Sequence, residues 1–147
     1  NIYRQRQLLK EYFFPVLAGC FTGCLTSLGS ILLLCKLLSV DSVIASSLLP
    51  KSVTTAIAVA ISDSNGGIQG ITVTAVLVAG VIGAIFAPLF AKLFRVTDPV
   101  AEGVDIGACS HALGTSKAME IGALQGAMSS IALCVCGIMT SIIIMFF

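Results

Sequence analysis

Three stretches of the chain are apolar almost without interruption, at about residues 13–38, 71–94 and 127–147. Each reaches the roughly 20 residues a helix needs to cross the hydrocarbon of a bilayer, so each is predicted to span. Pro15 falls at the start of the first, where its missing N–H does no harm. Pro88 is expected to kink the second. Glycines recur four apart at Gly19/Gly23, Gly103/Gly107 and Gly122/Gly126. That spacing lets helix backbones pack closely where lipid supplies no hydrophobic drive between them.

Between the spans lie two segments of another kind, residues 45–62 and 103–122. Both keep an apolar framework, but hydroxyls, glycine or proline and a cation occupy their centres. A charged residue at mid-membrane costs about 2.5–3.5 kcal/mol. Such segments must therefore be buried in protein or line a water-filled cavity. The pattern predicts an all-α integral membrane protein with three spanning helices and two polar, interrupted or re-entrant helical segments.

Composition leads to the same class. Of 147 residues, 57% are hydrophobic and 10% charged, and mean hydropathy is +1.07. A soluble domain carries about 25% charged residues, so a soluble enzyme, a disordered chain and a secreted disulfide scaffold are all excluded. The net charge of +1 offers no basic face for nucleic acid. The six cysteines form no CxxC pair and His111 is the single histidine. The cysteines therefore read as small apolar packing residues, and no metal or cofactor is expected.

Charge placement predicts the topology. Arg4, Arg6 and Lys10 precede any apolar run and assign residues 1–12 to a cytosolic connector. The chain opens on Asn1 without a signal-peptide pattern, so further helices are expected upstream and residues 1–147 read as a single transmembrane domain of a longer chain. If residues 45–62 dip in and return, the second span runs inward and leaves Lys92 and Arg95 cytoplasmic, as the positive-inside bias prefers. Asn65 and Thr97 then lie on opposite sides, and residues 103–122 enter from the side opposite to the first dip. Aligning Thr55 with Thr115 also pairs Ala58 with Ala118 and Ile61 with Ile121, a pattern compatible with an inverted repeat of the sort transporters use.

The candidate chemistry sits in the two dips. In Pro50-Lys51-Ser52-Val53-Thr54-Thr55, proline suits the first position of a new helix. Ser52, Thr54 and Thr55 would then surround its free N–H groups, with Lys51 beside them, as an anion site. The alternative is that these hydroxyls only bond carbonyls one turn back. In Ser110-His111-Ala112-Leu113-Gly114-Thr115-Ser116-Lys117, Gly114 is expected to break the helix or allow close approach, with Thr115 and Ser116 capping the helical turns beyond it. His111 would bind substrate or carry a proton, with Asp105 a second candidate for proton coupling. The other reading of His111 is a satisfied interhelical hydrogen bonder. Lys117 joins the candidate site, although Glu120 is placed to neutralise it across one turn. A Ser110/His111/Asp105 triad fails on spacing, and no nucleophile elbow surrounds Ser110, so the chain is not read as an enzyme.

At these strings the sequence resembles the LrgB/CidB family of bacterial membrane proteins. The matching residues are Leu49-Pro50-Lys51-Ser52-Val53-Thr54-Thr55, Asp98-Pro99-Val100-Ala101, Ser110-His111-Ala112-Leu113-Gly114-Thr115 and Gly126-Ala127-Met128-Ser129-Ser130. They run in the family's order and spacing over residues 49–130. Ala56 stands where the family usually has proline, Glu102 where arginine is common, and Gln125 where an acidic residue is frequent. Any family role for a cation at position 102 therefore does not carry over.

The resemblance implies a multi-pass protein of the bacterial cytoplasmic membrane. Family members are described as antiholin-like modulators of murein hydrolase export and cell lysis, acting beside a smaller LrgA/CidA-type membrane partner. Plant relatives resemble plastid translocators for glycolate and glycerate, and bacterial ones are linked to pyruvate or other small carboxylates. Two functions are therefore expected. One is a carrier for a small organic anion. The other is a non-transporting lysis regulator that assembles with itself or with a holin-like partner.

Overall fold

A computed structural model describes residues 12–145 of the chain. Regular structure among the described residues is all helical: α1 (Phe13–Leu37), α2 (Ser42–Leu48), α3 (Thr55–Ser64), α4 (Gln69–Leu93), α5 (Pro99–Ile121) and α6 (Ala123–Met145). A 3-10 turn at Leu49–Ser52 separates α2 from α3. Arg4, Arg6 and Lys10 of the expected cytosolic connector lie outside the described residues.

α1, α4 and α6 are the three helices long and apolar enough to span. At 25 residues each, α1 and α4 measure about 37 Å, more than the roughly 30 Å of bilayer hydrocarbon. α4 continues through Pro88 without interruption. α6 begins at Ala123, four residues before the apolar run, because Gly122 alone links it to α5. Asn65 and Thr97 flank α4 and so mark opposite ends of the bundle.

Both polar segments are re-entrant hairpins. In the first, Asp41 caps α2 by accepting from the Val43 amide at 3.1 Å, and α2 descends seven residues to the 3-10 turn. α3 then climbs back to Asn65. The return to the starting end is fixed at Ser47, whose hydroxyl accepts from the Ile68 amide at 2.7 Å. Thr72 of α4 locks both arms: its hydroxyl donates to the Ser47 carbonyl at 2.9 Å and lies 2.7 Å from the Ser62 hydroxyl. A Thr72→Val substitution keeps the shape and strands these fully buried groups. It should lower stability by about 1–3 kcal/mol, measurable as a reduced melting temperature in detergent.

In the second, α5 starts at Pro99 behind the cap of Asp98, which accepts from the Val100 amide at 2.8 Å. It is broken in the middle, where His111 takes φ 51° and ψ −142°. The packing against α6 shows what the break does. Gly103 and Gly107 abut Gln125 and Ser129, whereas Gly126 abuts Met119, and Thr115 bonds Ser129. Residues 99–110 therefore run parallel to α6 and residues 112–121 run antiparallel to it. The chain enters and leaves this hairpin at the Thr97 end.

The layout is two units of opposite orientation, each a spanning helix followed by a hairpin, closed by α6. Ala58 and Ala118, paired in the sequence alignment, both lie fully buried on the returning arms. The small-residue spacings serve contacts within the chain. Gly19 and Gly23 face Val104 and Ala108 of α5, and Cys20, Cys24 and Cys136 join α1 to α6 in one apolar cluster. All six cysteines are free.

Candidate functional site

The first descending arm stops for a local reason. Pro50 leaves helical geometry (φ −83°, ψ 15°), and Val53 is extended. Helix α3 therefore begins only at Thr55, five residues after the proline, and not at Pro50 as expected. Thr54 takes the N-cap position, yet no side chain caps the first amides of α3. Those amides keep the unsatisfied donors of a helix N-terminus.

In the second hairpin the reversal falls on His111, so of the two roles expected of Gly114, break or close approach, it takes the second. Gly114 supplies space. A Cβ there, or at Gly83 of α4, would overlap the Ser110 side chain. Both glycines thus let the bend press between its own returning arm and α4. Thr115, expected to cap, donates to the His111 carbonyl at 2.8 Å and pairs with Ser129 at 2.9 Å.

The two tips meet. A cavity of about 60 Å³ is lined by Thr54 and Thr55 from the first hairpin, Ser110 and His111 from the second, and Val76 and Gly80 from α4. It has room for a few water molecules. Ser110 is fully buried and His111 is 3% exposed. The Ser110 hydroxyl and both ring nitrogens of His111 have no hydrogen-bond partner. Buried polar groups are nearly always paired, and each orphan costs about 1–3 kcal/mol. Ser110 and His111 carry three such orphans and line a small, mostly apolar cavity beside the uncapped N-terminus of α3.

The other residues singled out in the sequence divide into supports and outliers. Ser52 is tied to Ser27 of α1 by a hydroxyl–hydroxyl bond, and Thr115 to α6, so both hold the tips in place. Lys51 is half-buried beside the cavity and opens into a neighbouring groove. Asp105 is exposed on the descending arm, where its carboxylate accepts from the Cys109 thiol at 3.8 Å. Lys117 stands away from the tips in an exposed ion pair with Glu120 at 2.7 Å. Three positions were not legible as site residues. Ser27 and Ser129 brace the tips from within apolar spans, and Gly83 makes room for one of them. Ser129 lies inside a motif that carries the family resemblance, which was the available signal. Among the described residues no group of three His, Cys, Asp or Glu side chains is placed to hold a metal ion.

Inverted span-and-hairpin units whose tips enclose a small cavity define a multi-pass membrane protein of the discontinuous-helix kind. Comparison with known proteins supplies the family. The chain belongs to the LrgB-like family, which matches it over residues 1–147. It is 38% identical to the antiholin-like protein LrgB of Bacillus subtilis (strain 168) over 143 residues, covering 97% of this chain and 62% of the relative. The proteins of that name in Bacillus mycoides (strain KBAB4) and Bacillus cereus (strain B4264) are each 38% identical over 146 residues, covering 99% of this chain and 64% of theirs. The chain thus spans somewhat under two thirds of the length of these relatives. No solved structure matches it significantly. The apolar helices and the bacterial relatives fit a multi-pass bacterial membrane protein.

Proposed function

We propose that this chain forms the binding core of a secondary carrier for a small carboxylate, of the pyruvate or glycolate kind, in the bacterial cytoplasmic membrane. The observation that carries the reading is the trio of unpartnered buried donors and acceptors on Ser110 and His111, two residues that share one cavity with the bare N-terminus of α3. A carboxylate would accept from the first amides of α3, where the helix dipole also favours an anion. Thr54, Thr55 and Ser110 would add hydroxyl donors, and a ring N–H of His111 would donate as well. His111 would also move a proton with the substrate; Asp105 lies outside the cavity. The role is binding and translocation, with no covalent step and no cofactor.

The family's antiholin-like name supports a further part of the proposal: flux through the carrier contributes to control of murein hydrolase export and lysis, together with an LrgA/CidA-type partner. Proteoliposomes holding the full-length protein, alone and with that partner, should take up labelled pyruvate or glycolate above empty vesicles. Thr55→Ala should lower that uptake roughly tenfold, the worth of one charge-assisted hydrogen bond. Uptake no greater than in empty vesicles would sink the carrier reading. The regulator reading predicts the reverse pattern, with lysis control lost on replacing Gly19 and Gly23 by leucine and kept on replacing Thr55 and His111 by alanine.

A further inference from the structure

Two grooves flank the hairpin tips, and they run to opposite ends of the bundle. One, of about 850 Å³, tracks α4 from Gly70 through Thr74 to Ile82, with Leu48, Lys51 and Cys109 on its other wall. Gly70 is at the Asn65 end, and Ile82 lies about 20 Å deeper at 1.5 Å per residue. The second, of about 390 Å³, tracks α1 from Tyr12 through Gly19 to Gly23, with Asp98, Asp105 and Cys109 opposite. It opens at the Thr97 end. Each groove is walled by the outer half of one unit's span and by the other unit's hairpin. Cys109 belongs to both.

Their charges are opposite, and among the described residues neither is neutralised by an ion pair. Among the described residues the ion pair is Lys117–Glu120, so Lys51 has no carboxylate within reach. Asp105 receives only the weak thiol bond from Cys109. An unpaired charge at this depth cannot rest against lipid and must be hydrated. Lys51 raises the local concentration of anions in its groove, and Asp98 and Asp105 do the same for cations in theirs.

We infer that the grooves are two water-filled half-channels meeting at Cys109, an anion-selective one past Lys51 and a cation-selective one past Asp105, through which a carboxylate and its coupling proton reach the hairpin tips from opposite faces. The inference rests on the carrier reading for the identity of the anion. The half-channels themselves rest on the grooves and their unpaired charges.

Thiol labelling of the full-length protein in proteoliposomes tests this. Cys109 and Cys134 are the two exposed cysteines among the described residues, and Cys134 lies outside both grooves. Mass-resolved labelling of the native protein with anionic sulfonatoethyl and cationic trimethylammonioethyl methanethiosulfonates should modify Cys109 and spare Cys134. A Thr74→Cys variant should react roughly tenfold faster with the anionic reagent, a preference of the size that local fields produce, and Lys51→Gln should erase it. Val104→Cys, on the second groove, should prefer the cationic reagent, and Asp105→Asn should reduce that preference, with Asp98 accounting for what remains. A Cys109 as inert as Cys134 overturns the inference, as does one charge preference shared by both grooves. These rates need no substrate. The full labelling pattern without protection of Cys109 by any small carboxylate would leave the half-channels standing and remove the carrier reading.

Discussion

Replacing His111 with alanine is expected to lower carboxylate uptake by roughly ten- to hundredfold while the protein still inserts and folds. A hydrogen bond to a charged group contributes about 1.5–3 kcal/mol, and each 1.4 kcal/mol is a factor of ten. The ring is buried beside the Lys51 backbone without a well-formed hydrogen bond, so its removal breaks no strong pairing in the bundle. What it does carry is strain. A non-glycine residue at φ 51° and ψ −142° occupies backbone space that side chains avoid, and such outliers persist where function holds them. His111→Gly removes the same ring but relieves the backbone, so it should be more stable than His111→Ala by about 1–2 kcal/mol. Both variants should be equally deficient in uptake. Thermal unfolding in detergent and uptake in vesicles, run on the same two proteins, separate the effects. Native uptake by either variant would mean that His111 is a structural bend and nothing more.

The position of that bend shows where sequence reasoning stops. Run length identified α1, α4 and α6, because about 20 apolar residues in series have few other uses. The two hairpins were legible as places where Lys51 and His111 sit among apolar residues, since the cost of facing lipid forces such segments inward. Gly114 was expected either to break the helix or to allow close approach, and it does the second. The break falls three residues earlier because tertiary packing decides it: Ser110 wedges between Gly83 and Gly114, and His111 takes the reversal. No local propensity encodes that. Lys117 was drawn into the site by its nearness in sequence to His111, yet the returning arm turns it outward to Glu120. The braces were hidden for the opposite reason. Ser27, Thr72 and Ser129 each look like an ordinary hydroxyl in an apolar helix, of the kind that usually bonds its own backbone one turn back. In this fold each reaches across to a hairpin. Glu102 and Gln125, read separately as departures from the family pattern, touch: the Gln125 amide donates to the Glu102 carboxylate at 3.2 Å. One sequence shows two odd positions, and only the fold shows that they are one contact.

The second large effect is expected at Gly107, one turn before the orphaned polar groups of Ser110 and His111. A Cβ at this position would lie 2.8 Å from the Ser129 Cα and closer still to its carbonyl oxygen. Backbone cannot swing aside as a flexible side chain can, so the descending arm of α5 and α6 would have to separate by roughly 1 Å to restore van der Waals contact. Gly103, whose Cβ would meet the Gln125 Cα at 2.9 Å, lies on the same seam and would be pulled out of register with it. Overpacking of this kind costs about 1–3 kcal/mol for a methyl-sized group, and a branched side chain should exceed that range. Separation also draws Ser129 away from Thr115, which then releases the His111 carbonyl and loosens the tip. Gly107→Val should therefore abolish folding or uptake outright, and Gly107→Ala should lower the melting temperature and reduce uptake together. Gly29→Ala is the matched control: a Cβ there meets nothing within 4 Å, and alanine is the better helix former. If Gly107→Val and Gly29→Ala behaved alike, the close seam between α5 and α6 would not be what holds the second tip against the first.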